Sequence, residues 1–383
     1  MGARVDPGLM QDLKAFGLKD AGKCFHCSQC TVSCPLSTPE KPFPRKLVRY
    51  LQLGLKDRIL GAAEPWLCYY CGDCSTQCPR GAEPGETMMA ARRYLTSRYD
   101  WTGFSRRFYT SGRFEIAAVA LVAALVGLGL LLFNTGRPDW RHPDLNSLWP
   151  ARSMELADLA LAGALSFLLL GNAWRCAKAV MGDLLFKIPL RDYLRLLREL
   201  CVHALTQKRF GGCGDKKLWL IHLLIMTGYA TIFLLVVVLL NGLNLEGWQF
   251  QRGWPEYPLF HPIRLLGYYA AFAIMYGATY ALVGRLKKSK PVYRHSHPTD
   301  WMFLVLLQLT ALTGIFINFA RLLDWPLGAY VLYVLHLMVA VPMLVLEVPF
   351  AKWAHLAYRP LVLFLVKVKQ EHLAKNLETA GIA

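Results

Sequence analysis

Charge is scarce in this chain. Only 18% of its 383 residues are Asp, Glu, Lys or Arg, whereas 55% are hydrophobic, and mean hydropathy is +0.30. That balance excludes a disordered chain, a fibrous repeat and an ordinary soluble enzyme. Acidic residues are scarcer still: 26 Asp and Glu face 43 Lys and Arg, a net charge of +17. In so apolar a chain the excess marks the inner side of a membrane protein, and no nucleic-acid partner is expected. Residues 1–23 hold no apolar run of signal-peptide length, so the N-terminal part is expected to stay in a reducing cytoplasm. No G-x-G-x-x-G follows a strand, and there is no P-loop and no nucleophile motif.

Long uncharged stretches are plentiful. Six occur, at 116–136, 159–174, 218–245, 265–284, 301–320 and 325–346. A membrane helix needs about 20 apolar residues. The second stretch reaches that length only when extended past Asp158. We expect spans at about 115–136, 156–174, 218–242, 262–284, 301–320 and 327–351. The segments 175–217, 285–300 and 351–383 carry twenty Lys and Arg together, against five in the alternate loops. The positive-inside rule then sets both termini in the cytoplasm of a multi-pass inner-membrane protein. Residues 189–209 read as an amphipathic helix lying on the membrane or on a partner, with Leu190, Leu194, Leu197, Leu200 and Leu205 opposing Arg191, Arg195 and Arg198. Residues 361–378 read as another surface helix, and Trp248, Trp254 and Tyr257 read as an outer aromatic belt.

Eight of the 11 cysteines lie between Cys24 and Cys78. They form two C-x2-C-x2-C-x3-C-P motifs, Cys24, Cys27, Cys30 and Cys34 before Pro35, and Cys68, Cys71, Cys74 and Cys78 before Pro79. Three thiolates on one tight loop reach three corners of a cubane, and the fourth, turned away by proline, ligates the neighbouring cluster. The expected sets are Cys24, Cys27, Cys30 and Cys78 for one [4Fe–4S] cluster, and Cys68, Cys71, Cys74 and Cys34 for the other. Zinc is the rival, but zinc ribbons use paired C-x2-C knuckles without the third cysteine and the Cys-Pro. His26 sits inside the first motif, either tuning that cluster or standing in solvent. Cys176, Cys201 and Cys213 have no partner spacing and read as plain thiols.

Two one-electron clusters in series are a wire, so the membrane part must supply one end. Few of the ten histidines sit at membrane depth. An imidazole there is costly and marks function, and beside such a wire the function is axial ligation of haem b. His222 and His355 share a depth and make one pair. His336 lies 19 residues before His355, about 28 Å away along an unbroken helix, so it would serve a second haem. His261, at the start of the fourth span, is a candidate partner for it, though about 12 Å shallower by residue count. Glu347, an acidic residue inside the sixth span, either carries protons for quinone chemistry or reaches the cytoplasmic interface.

With its two cysteine motifs, the head resembles the C subunit of heterodisulfide reductase. The body, with His336 and His355 spaced 19 apart and His222 early in a preceding helix, resembles the membrane cytochrome b of that reductase and the gamma subunit of respiratory nitrate reductase. Where that gamma subunit has a second histidine ten residues on, this chain has Ile232. Both parts in one chain resemble the membrane components of the quinone-interacting membrane-bound oxidoreductases of sulfate reducers. The resemblance implies two b haems, a menaquinone site, soluble flavin/iron–sulfur partners like the A subunit of heterodisulfide reductase, and delivery towards adenylylsulfate reductase. The expected fold is mainly α: a helical ferredoxin-like dicluster domain over 1–105, a six-helix transmembrane cytochrome b bundle over 106–360, and a tail over 361–383. Quinol oxidation is expected in or next to this chain. The alternatives are a heterodisulfide- or sulfite-reductase-type membrane subunit, and an anchor without quinone turnover.

Overall fold

The computed structural model describes residues 5–39, 42–235, 260 and 262–379. His261, Trp248, Trp254, Tyr257 and the end of the third expected span lie outside these residues. The described chain is mainly helical, with no β-strand among its elements.

The head folds around two longer helices. Helix α1 (Arg45–Gln52) buries Leu47, Val48 and Leu51, one turn apart on a single face. Helix α2 (Pro84–Tyr99) starts on a proline whose missing N–H costs nothing at that position. It is buried along most of its length. Between them Trp66 is fully buried, stacked 6.2 Å from Tyr99 and 5.6 Å from Tyr358. Burial of one such side chain contributes about 3 kcal/mol.

Seven further helices carry the body. They are α3 (Gly112–Leu132), α4 (Ala151–Met181), α5 (Leu190–Thr206), α6 (Lys216–Phe233), α7 (Pro262–Lys287), α8 (Pro298–Leu322) and α9 (Pro326–Pro342). Five stretches are long and apolar enough to cross a membrane: α3, Arg152–Met181 of α4, α7, α8, and Pro326–Phe350 starting with α9. Helix α6 occupies the described part of the third expected span. In space the order is α6, α7, α8, α9, α3, each packed on the next. Start signals are local. Ser111 accepts from the Phe114 N–H, Asp215 accepts from the Lys217 and Leu218 N–H groups, and His297 with Asp300 forms a capping box before α8. Helix α4 shows Leu156, Leu159, Phe167 and Leu170 outward, as side chains facing lipid tails would stand.

The last span is not one helix. Pro342 ends α9, residues 343–347 widen into a π-helical turn, Pro349 follows, and Ala351 leaves helical geometry at φ −123°, ψ −138°. Each proline lacks an N–H and crowds the preceding turn, so the ladder yields here. Helix α10 (His355–Thr379) then starts afresh. His336 and His355 are therefore on separate helices, not on the unbroken rod expected. Helix α10 also corrects the expected surface helix. Its Tyr358, Val362, Leu365 and Val368 are buried in the same core as Leu13, Leu47, Trp66 and Tyr94 of the head, together with Cys176 and Val180 of α4. The head-side loops complete the docking. Arg93 pairs with Asp300 at 3.7 Å, Glu83 with His295 at 3.7 Å, and Gly72 lies against Pro291.

Candidate electron-transfer centres

The cysteines gather in the two sets that the spacing predicts. Cys24, Cys27, Cys30 and Cys78 line one small cavity, and Cys34, Cys68, Cys71 and Cys74 line another. Each motif's loop turns through left-handed residues: His26 and Ser28 in the first, Tyr70 and Gly72 in the second. The short helices Gln29–Val32 and Asp73–Thr76 follow and present Cys30 and Cys74. Burial pushes the Cys30 thiol up to about 11, and Cys34 and Cys68 up to about 12. Without a metal these thiols stay protonated, so cluster binding must release protons. Among the described residues no three His, Cys, Asp or Glu side chains converge tightly enough for a single metal ion. Zinc draws its sulfurs in to about 2.3 Å, whereas cubane ligands each hold a different corner and stay apart.

His26 is half-buried and hydrogen-bonded to the Gln52 side chain, which donates onward to Ala21 O and Cys24 O. It braces the first loop rather than standing in solvent. Cys213 departs from its plain-thiol reading. It is 2% exposed and lines the second cysteine cavity together with Cys71. The neighbouring Cys213 thiol holds the Cys71 thiol below the ordinary range. Cys176 packs in the head core and Cys201 is exposed.

A cavity of about 450 Å³ lies beside the second cysteine set, between head and membrane helices. His222, early in α6, and His355, the first residue of α10, both line it. Their ring centroids stand 6.3 Å apart. Each ring has its Nδ1 fixed. His222 donates to Gln207 Oε1 at 2.7 Å, and His355 donates to the Lys352 carbonyl. Each Nε2 is thus left as the ligating nitrogen. Burial, with the Arg359 guanidinium beside it, holds His355 well below the ordinary imidazole range, so the ring stays neutral. Two imidazoles that share a metal at about 2.0 Å each have centroids about 6 Å apart, which these rings match. Arg92, Arg93, Arg285, Lys352 and Arg359 also line the space. The Nε atoms of Arg285 and Arg359 have no hydrogen-bond partner among the described residues. Mostly apolar and lined by five cationic side chains, the site could hold a porphyrin with its two carboxylates.

The cavity connects to the second cysteine set through packed rings. Phe210 stands edge-on to His222 at 5.7 Å and stacks on Tyr69 at 4.7 Å. Tyr69 follows Cys68, whose carbonyl accepts from Arg92 and Arg359. Sequence reading missed Gln207, Phe210 and Cys213. Their only local signal is a compact Gln-x-x-Phe-x-x-Cys turn just before α6.

His336 does not join the first pair. Its Nδ1 meets Thr313 Oγ1 at 2.8 Å, with Gly314 against the ring. Among the described residues no second histidine ring stands beside it. Glu347 is 1% exposed in the π-helical turn, where it accepts the Lys352 N–H at 3.1 Å. It sits outside the large cavity, one residue pair removed through Lys352. His203 lines a smaller cavity of about 110 Å³ that His222 and His355 also line.

Residues 20–82 match the family model of the 4Fe-4S dicluster domain. The head is an iron–sulfur domain. A heterodisulfide reductase C-subunit-like protein of Archaeoglobus profundus is 35% identical over 88 residues, covering 23% of this chain and 47% of that protein. The chain therefore spans about half the length of the curated relative it matches. No solved structure matches it.

Proposed function

We propose that this chain is a membrane electron-transfer subunit, passing electrons between menaquinone and soluble redox partners through haem b and two [4Fe–4S] clusters. The observation that carries this reading is the His222–His355 pair, 6.3 Å apart with both Nδ1 atoms engaged, against an iron–sulfur domain. The haem and clusters supply one-electron chemistry when bound. The protein's residues do the rest. His222 and His355 would hold the iron, and Arg285 and Arg359 would meet the propionates. Tyr69 and Phe210 close the gap to the cluster on Cys34, Cys68, Cys71 and Cys74. The other cluster, on Cys24, Cys27, Cys30 and Cys78, opens to the surface at the exposed Cys27.

His336, with Nδ1 held by Thr313, would serve a second haem; its expected partner His261 is outside the described residues. Glu347 would accept a proton from quinol. The head's likeness to the archaeal C-subunit-like protein favours flavin/iron–sulfur partners like the A subunit of heterodisulfide reductase, with adenylylsulfate reductase the acceptor further on. In this reading 1–105 is a cytoplasmic head, 106–360 a cytochrome b bundle, and 361–383 a cytoplasmic tail.

The test is an optical and EPR spectrum of the purified full-length chain. We expect a b-type haem that menaquinol reduces, together with two cubane signals. Replacing His222 or His355 with Ala should abolish the haem bands nearest the head and leave iron–sulfur content intact. A colourless chain, or haem bands untouched by both substitutions, refutes it. A haem that menaquinol cannot reduce points to an anchor without turnover.

A further inference from the structure

The second cysteine set is one thiol larger than a cubane needs. Cys34, Cys68, Cys71 and Cys74 supply four ligands, yet Cys213 enters the same cavity from the turn before α6. It is placed there by construction. The Cys213 N–H donates to Phe210 O at 3.0 Å, closing the short helix Phe210–Gly212. A Cβ on Gly214 would meet Asp73 Oδ2 at 3.8 Å, so this turn lies directly on the second cysteine loop. Asp215 then caps α6 and pairs with Lys290. The thiol is 2% exposed, so it faces the cysteine cavity and not solvent.

We propose that Cys213 is a positioning residue whose S–H donates to the Cys71 sulfur and raises the reduction potential of the cluster nearest the histidine pair. The proposal rests on the iron–sulfur assignment above. Reduction adds negative charge to a cluster, and that charge spreads onto its thiolate sulfurs. A donor on one sulfur stabilises the reduced state more than the oxidised one, so the potential rises. Cys213 gains this role without becoming a ligand, because the four motif cysteines already complete the corners. Its position three residues past Phe210 gives the turn two tasks at once: the ring contacts His222, and the thiol adjusts the cluster that exchanges electrons with it.

The experiment is an EPR-monitored redox titration of the full chain with Cys213 unaltered, Cys213→Ala and Cys213→Ser, with iron and sulfide counted in each. Cys213→Ala should keep both clusters. It should lower the second cluster's reduction equilibrium constant by about three- to tenfold, tenfold being about 59 mV for one electron. The first cluster should not move. Cys213→Ser keeps a donor and should recover at least half of the shift. An unmoved potential in Cys213→Ala overturns the proposal. So does loss of one iron or a [3Fe–4S] signal, which would make Cys213 a ligand. Absence of any cluster in the unaltered chain refutes the functional reading itself, and is told apart by the iron count.

Discussion

Replacing Gln207 tests whether the histidine pair is held for a metal. Gln207 closes α5 in the left-handed region at φ 50°, is 8% exposed, and accepts from His222 Nδ1 at 2.7 Å while its amide reaches the Met226 sulfur at 2.8 Å. Gln207→Leu keeps the volume and removes the acceptor. Two effects then separate. The fold loses one neutral hydrogen bond, worth about 1 kcal/mol. The ring loses the partner that fixes its orientation and tautomer, and loss of such a partner costs a metal site about 10–100-fold in affinity. Haem loss should therefore far exceed what the small loss of stability explains. Pyridine haemochrome content after graded detergent exposure, beside a thermal melt of the same sample, reads both. Gln207→Glu retains the acceptor and should retain haem. Equal haem retention in Gln207→Leu and the unaltered chain would refute the idea that Gln207 orients a ligand.

Two further outcomes follow from the head. Burial pushes the Glu86 carboxyl from 4.5 up to about 7, opposed by Arg93, with Asp300, Lys19 and Lys352 also near. The folded chain thus prefers the protonated acid. That contribution is complete below about pH 4.5 and is lost as pH rises through 7, so Glu86→Gln should match the unaltered chain at pH 4.5 and exceed it by up to about 3 kcal/mol above pH 8. Melting curves across that range check it, and a pH-independent difference would contradict it. Gly72 stands at φ 91°, where an added Cβ would come within 2.5 Å of Pro291 Cβ. Gly72→Ala should destabilise by about 2 kcal/mol or more, from left-handed strain and the clash together. It should also expose the 288–297 loop to trypsin, and unchanged melting with unchanged digestion would show the contact to be dispensable.

How far the site was legible depends on the range of each signal. The two cysteine sets follow from spacing within eleven residues and one swapped fourth ligand, so the motif alone pointed to both cavities. His222 and His355 were legible because membrane depth can be counted in residues. Cys213 was not, since Cys71, which lines the same cavity, lies 142 positions away and no spacing rule links them. Gln207 reads as an ordinary polar residue until its side chain is seen under His222. The break before α10 was half-written in Pro342 and Pro349, but reading an uncharged run as a continuous rod hid it. The amphipathic α5 was recognised, whereas what it packs on was not. Its Asp192 pairs with Lys375 of α10 at 3.0 Å, leaving Leu190, Leu194 and Leu205 outward.

That break has a consequence for how the molecule divides. His222 is carried by α6, packed on α7, yet His355 is mounted on a helix whose buried side belongs to the head. The two histidines are thus owned by different halves, and neither half alone can frame the space between them. Cutting the polypeptide after the head would not yield two self-sufficient parts. It would take the wall out of the room they share.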